Sequence, residues 1–290
     1  MGDPFPADGA FVRLRHRVRD DTYLCADEDG EGVSLRPLGR AASPLNTVWR
    51  VHRATPSGCA ESCVLLRGAA YGRYLAISPF PSPPGHSGRP AIQRDYGNRE
   101  LTAVAWRAVK EAGYVRLAYD FNRSLRANGK YRFWNTGVTV DSVWPFPSRM
   151  MHWTVEIIPP RPAPPALPLP THQTNQGGWT GLFRRRTGPV ADGLRRILYV
   201  RANGEGDFNE NHDDWRAFIF NGRSVFNLRT EVGLRQPDGD VSGITICVRP
   251  GLCGRLTPLV TDLPQNEDVM DIVVLINGSP AAERLAYPDV

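Results

Sequence analysis

Short runs of alternating apolar and polar residues dominate the first half of the chain. Val12-Arg13-Leu14-Arg15 is one; Trp49-Arg50-Val51 and Trp153-Thr154-Val155-Glu156-Ile157 are others. Period two places successive side chains on opposite faces, so each run reads as a half-buried strand. Trp49 and Val51 then share one face, as do Trp153, Val155 and Ile157. The runs recur in a fixed order. Val12-Arg13-Leu14-Arg15 is followed by Tyr23-Leu24-Cys25-Ala26 and then by Val48-Trp49-Arg50-Val51. Val64-Leu65-Leu66-Arg67 is followed by Tyr74-Leu75-Ala76 and Ala105-Trp106-Arg107-Ala108-Val109. Val115-Arg116-Leu117-Ala118 is followed by Leu125-Arg126-Ala127 and His152-Trp153-Thr154-Val155-Glu156. The starts at 12, 64 and 115 define a period of 52 and then 51 residues, the mark of an internal repeat.

Each repeat holds one more strand candidate, at 33–38, 91–96 and 138–142, which makes four strands per repeat and twelve in about 150 residues. Propellers also use four-stranded units but need at least about four of them. Three units predict a β-trefoil. Trp49, Trp106 and Trp153, with Leu24, Leu75 and Leu125, are its expected core, because a Trp buries about 150–250 Å2 and three of them anchor a threefold centre.

The second half is patterned differently. The stretch from 159 to 170 contains seven prolines in twelve residues. Proline fixes φ and lacks an N–H, so this stretch favours polyproline II. With the Gly-, Thr- and Arg-rich residues after it, 159–194 reads as a linker between a domain at 1–158 and one at 195–290. A PxxP ligand is the alternative. In the last segment, strands are predicted at 197–202, 215–221, 244–249, 256–263 and 271–277. A helix over 225–235 is capped by Ser224 and carries Val225, Leu228, Val232 and Leu234 on its buried side, and a short helical turn follows Ser279. The order ββαβββ predicts a small α+β, ubiquitin-like β-grasp domain.

Gly72-Arg73-Tyr74-Leu75-Ala76 resembles the G-K-Y-L-x-A signature of fascin-like trefoils. With the closing W-x-V strands, the MMHWTVEII stretch and the second-half runs FNGRSVFNLR and GRLTPLVTDLP, the chain resembles the plant domain-of-unknown-function 569 family, described as fascin-like or actin-cross-linking. The resemblance implies a trefoil followed by the family's C-terminal region, with F-actin as a partner. Repeat three departs from the signature, with Ser124 where Tyr23 and Tyr74 stand and Asn122-Arg123 in place of Gly72-Arg73. Ricin-type sugar-binding trefoils carry Q-x-W, but here Thr47, Val104 and Met151 stand two residues before the tryptophans.

Charge sharpens this picture. The net +5 averages +6 over residues 1–158, +3 over 159–194 and −4 over 195–290. In 11–19, Arg13, Arg15, Arg17 and Arg19 alternate with Val12, Leu14, His16 and Val18, so one extended strand would present four arginines. These four and Arg73 are the candidate binding residues, for acidic actin, for another protein, or for RNA or acidic lipid with Arg184–Arg186 contributing. The acidic β-grasp domain is a candidate to dock a protein partner, the basic trefoil beside it included.

No catalytic constellation emerges: there is no P-loop, G-x-S-x-G or H-E-x-x-H, and Asn211-His212-Asp213 is only a run of loop neighbours. No cofactor or metal is expected. The loop at 203–214 lacks the EF-hand pattern, and Cys59 and Cys63 lack zinc partners. His16, His52, His86 and His152 show no ligand spacing. The odd set Cys25, Cys59, Cys63, Cys247 and Cys253 reads as reduced thiols. There is no apolar run of transmembrane length and no signal-like start at Met1–Ala10. The expectation is a non-enzymatic binding or scaffold protein inside the cell, cytoplasmic or nuclear.

Overall fold

The computed structural model describes residues 5–19, 21–54, 63–82, 87–97, 103–128, 136–170 and 193–290. Cys59, His86 and Arg184–Arg186, and with them 171–192 of the expected linker, lie outside the described residues. Repeat one supplies β1 (Phe11–His16), β2 (Tyr23–Ala26), β3 (Val33–Arg36) and β4 (Trp49–Ala54). Repeat two supplies β5 (Cys63–Gly68), β6 (Tyr74–Ile77), β7 (Arg89–Arg94) and β8 (Arg107–Glu111). Repeat three supplies β9 (Tyr114–Ala118), β10 (Arg123–Ala127), β11 (Val138–Ser142) and β12 (Trp153–Ile158).

The first and last strands of each repeat close into a six-stranded barrel. β1 pairs with β4, β4 with β5, β8 with β9, β9 with β12, and β12 returns to β1. The β5–β8 seam is a single bridge between Val64 and Trp106. The middle strands form three hairpins, β2–β3, β6–β7 and β10–β11, that meet one another across one end. A six-stranded barrel capped by three hairpins is a β-trefoil.

One interaction repeats at each hairpin. Trp49 Nε1 donates to the Leu24 carbonyl at 3.0 Å, Trp106 Nε1 to Leu75 at 3.0 Å and Trp153 Nε1 to Leu125 at 3.3 Å. All six side chains are completely buried. Each indole contributes about 4–6 kcal/mol by area and satisfies a carbonyl that would otherwise be buried without a donor.

Three details differ from the sequence expectation. Ile157 is exposed, because β12 pairs with β1 there and its outward face meets solvent. Arg17 and Arg19 lie beyond the end of β1, so the four arginines do not share a strand face. The strand expected at 33–38 stops at Arg36, before Pro37.

After the trefoil come β13 (Pro160–Arg161), β14 (Leu194–Arg201), β15 (Arg216–Asn221), α1 (Val225–Leu234), β16 (Ile244–Val248), β17 (Thr257–Pro258), β18 (Met270–Ile276), α2 (Pro280–Glu283) and β19 (Tyr287–Pro288). The larger sheet runs β15-β14-β18-β16-β17, with β14 and β18 parallel in its centre. Parallel central strands from the two ends of one unit, with α1 packed across the sheet, make a ubiquitin-like β-grasp domain. Ser224 caps α1 by accepting from the Asn227 N–H at 3.3 Å, and Val225, Leu228 and Val232 bury against Ile197, Ile246 and Val274. Leu234 faces solvent instead, since it lies off the 225/228/232 stripe. The strand expected over 256–263 is only two residues long, because Pro258 has no N–H to extend the ladder.

The proline-rich stretch is not a plain spacer over its described part. Pro160–Arg161 pairs with Tyr287–Pro288, and Asp289 N donates to the Pro159 carbonyl at 2.9 Å. Leu167 then packs on both the trefoil core and the β-grasp core. Prolines suit this two-stranded edge, which needs few donors.

Replacing Trp106 by Phe removes the donor to Leu75 and leaves a cavity. Urea unfolding is expected to show a loss of about 2–4 kcal/mol. Ile157→Thr, on the exposed face, is expected to change stability by less than about 0.5 kcal/mol.

Candidate functional site

The site begins at Arg67, the fifth residue of β5 in the register where repeat one has Arg15 and repeat three Ala118. Its side chain is 3% exposed. A guanidinium this deep must satisfy its donors. Arg67 Nη1 donates to two backbone carbonyls of the β-grasp domain, Arg255 and Leu256, the latter at 2.8 Å. Burial pushes the Arg67 pKa down to about 10, so it remains charged at neutral pH. Tyr74, also fully buried, accepts at its hydroxyl from the Arg255 N–H at 3.2 Å and bonds His52 Nδ1 at 2.9 Å.

Around this centre the two domains meet backbone to backbone. Tyr96 N donates to the Pro250 carbonyl at 2.8 Å, and Cys253 N to that of Tyr96 at 2.9 Å. Gln265 N donates to the Glu28 carbonyl at 2.6 Å. Such approach requires glycine. Gly72 has φ +75°, and a Cβ there would sit 2.8 Å from Val248 Cγ1. Gly251, at φ +82°, would meet the Tyr96 carbonyl at 2.6 Å. Beneath these contacts Val260 and Tyr287 of the second domain join the trefoil core beside Phe11 and Ala69. At the rim, Arg255 pairs with Asp8 at 2.7 Å and Arg223 with Glu28 at 3.5 Å.

The five candidate arginines are all engaged within the chain. Arg73 is a clasp across the interface: it reaches Asp268 at 2.6 Å, Asp95 at 3.3 Å and the Gly30 carbonyl at 2.9 Å. Arg13 Nε donates to Thr47 Oγ1 at 3.2 Å, and Arg15 pairs with Glu156 at 2.5 Å. Arg17 lies 3.9 Å over the Tyr114 ring and donates to His152 Nδ1 at 3.0 Å. A guanidinium only donates, so the His152 proton sits on Nε2, facing Glu111 Oε2 at 3.1 Å. Burial, opposed by Glu111, holds His152 below its usual pKa. The Arg19 carbonyl closes the turn to Thr22. Thr47 and Met151, two residues before their tryptophans, are buried.

The family signature singled out Gly72 and Arg73 but not their role at a domain interface, and Arg67, His52 and Tyr96 were not among the candidate binding residues. The available signal was asymmetry: only repeat two has Leu-Leu-Arg in its first strand together with Gly-Arg-Tyr. A cleft of about 970 Å3 remains between the domains, walled by Glu28, Tyr71, Arg161, Arg223 and Asp262. Among the described residues, no group of three or more His, Cys, Asp or Glu is placed to hold a metal ion, and no helix is long and apolar enough to cross a membrane.

Residues 5–156 match the family described as beta-trefoil domain of unknown function (DUF569), and residues 193–275 match the DUF569 associated ubiquitin-like domain. The chain belongs to the DUF569 family. None of the curated proteins compared with it matches. Among solved structures it is similar to the Macrolepiota procera ricin B-like lectin in complex with lactose, with 18% identity, TM-score 0.41, and 52% of this chain and 98% of that chain covered. The Rhizoctonia solani agglutinin is 14% identical, with TM-score 0.40 and coverage of 53% and 99%. The designed threefold-symmetric protein ThreeFoil is 18% identical, with TM-score 0.39 and coverage of 50% and 96%.

Two predictions follow from the interface geometry. Gly72→Val drives a side chain into Val248, which is stiff at χ1. The variant is expected to part the domains, seen as a larger radius of gyration in small-angle scattering and a split thermal transition. The second concerns pH. Burial first, then the positive charges of Arg255 and Arg67, push the His52 pKa from 6.5 to about 4. As pH falls from 6.5 to 4 the unfolded chain takes this proton and the folded chain does not, so stability falls over that window. Lowering the pH from 7 to 4.5 is expected to reduce Tm less in His52→Gln than in the parent protein.

Proposed function

We propose that this is a non-enzymatic binding scaffold of the cell interior, acting as one two-domain body. The observation that carries the reading is the occupancy of the repeat-two face. Arg67 and Gly72, which a free trefoil would offer to a ligand, are committed to the β-grasp domain. External partners are therefore left repeat three and the part of repeat one outside the Asp8 and Glu28 contacts, at a fixed angle to the acidic domain.

The resemblance to fascin-like trefoils supports an actin filament as the partner. The +6 charge of residues 1–158 suits the acidic filament surface. An RNA or lipid reading through Arg13, Arg15 and Arg17 is weakened, because Thr47, Glu156 and His152 already hold those side chains. Bundling needs two filament sites, and the single trefoil supplies one.

The full chain is expected to pellet with actin filaments at high speed and moderate salt, without forming bundles that pellet at low speed. Protein that stays in the supernatant at micromolar filament concentration rejects the filament partner.

A further inference from the structure

Three large aromatic side chains stand out from the tip of repeat three. Phe121 is 86% exposed, Trp144 84% and Phe146 83%. None belongs to the tryptophan–leucine core, and at such exposure none lines a groove. Side chains of this size carry about 150–250 Å2 each, so three together form an apolar prominence rather than scattered surface residues.

Local hydrogen bonds hold the prominence out. Phe121 occupies the turn between β9 and β10, where Asp120 Oδ1 accepts from the Asn122 and Arg123 N–H groups at 2.9 and 2.7 Å. Trp144 and Phe146 follow β11. Val143 N donates to the Asn122 carbonyl at 2.7 Å, which ties the two loops side by side. Trp144 N donates to Ser142 Oγ at 3.2 Å, and beyond Phe146 the loop is anchored by buried Met150 and Met151. The aromatics are thus displayed by an ordered support.

Basic side chains border this tip. Arg107 lies 5.4 Å over the Phe121 ring and Arg123 lies 4.8 Å over Tyr119. Asp120 and Asp141 are each paired with an arginine of the same repeat, and Glu111 of β8 with Arg116 of β9. The β-grasp contacts described above all come from repeats one and two, so the −4 domain leaves this end uncovered.

A protein partner would need a concave pocket for a convex, rigid tip. A bilayer interface needs none: it accepts Trp and Phe at headgroup depth and attracts basic side chains to anionic lipid. We propose that the repeat-three tip, through Phe121, Trp144 and Phe146 with Arg107 beside them, seats on a membrane surface bearing anionic headgroups. This site goes beyond the filament reading and does not rest on it.

The test is flotation of the full chain with vesicles of phosphatidylcholine alone and of roughly 7:3 phosphatidylcholine to phosphatidylserine, a composition of inner-leaflet type. Binding to the mixed vesicles, with a blue shift of tryptophan emission, is expected. The triple variant Phe121→Ser, Trp144→Ser, Phe146→Ser is expected to bind about tenfold or more weakly and lose the shift. Its circular dichroism melt is expected to be unchanged, since all three positions are exposed. Arg107→Gln is expected to weaken binding about fivefold on the mixed vesicles only. Absence of flotation by the parent chain overturns the proposal, as does equal flotation by the folded triple variant. If vesicles are ignored while the triple variant loses filament binding, the tip belongs to the filament partner and the membrane proposal fails.

Discussion

The indole-to-leucine hydrogen bond, made three times, is the constraint on which the fold rests. Each tryptophan starts or immediately precedes a barrel strand, while each leucine belongs to a hairpin that caps the barrel. The bond therefore ties the two layers of the trefoil together at three related points, 25 to 31 residues apart along the chain. Loops between these points vary freely in length because they carry none of that load. This explains why the tryptophans are spaced 57 and then 47 residues apart while the leucines keep 51 and 50.

With the frame fixed by the core, the outer faces of the three repeats are free to diverge, and they do. Repeat two buries Leu65, Tyr74 and Ala76 with Val104 in a small apolar cluster outside the main core. That cluster supports Tyr96 and Tyr74, which meet the second domain through a backbone strand and a hydroxyl. Arg67 differs from a conventional ion pair. Its guanidinium is held by carbonyl dipoles, so recognition depends on the path of the 255–256 backbone rather than on any side chain there. Such a contact does not depend on the Leu256 side chain, whereas a change of Arg255 also removes its pair with Asp8, and a change of Arg67 or Gly72 breaks the contact itself.

How much of this was legible in the sequence follows from the range of each interaction. Strand periodicity is local, so Trp49, Trp106 and Trp153 and the ββαβββ order stood out, and the structure has the trefoil and the ubiquitin-like domain. The errors were of neighbourhood. Ile157 alternates correctly yet faces solvent, because alternation says which residues share a face and not what covers it. Arg13, Arg15 and Arg17 alternate as well, but their partners Thr47, Glu156 and His152 lie 34 to 141 residues away. The proline stretch was legible as extended but not as paired, since its partner strand is the end of the chain.

The same long-range contacts decide what the net charge means. Summed over the chain, +5 suggests a mildly basic particle without direction. Docking gives it direction. The acidic domain lies against repeats one and two, where its Asp268 meets Arg73 while its Arg223 and Arg255 meet Glu28 and Asp8, so charges of both signs are neutralised internally. None of these contacts reaches repeat three, where Arg107 lies beside the exposed Phe121 ring. The docked −4 domain repels an acidic surface, which leaves the uncovered end, where the aromatic residues project, as the favoured side of approach.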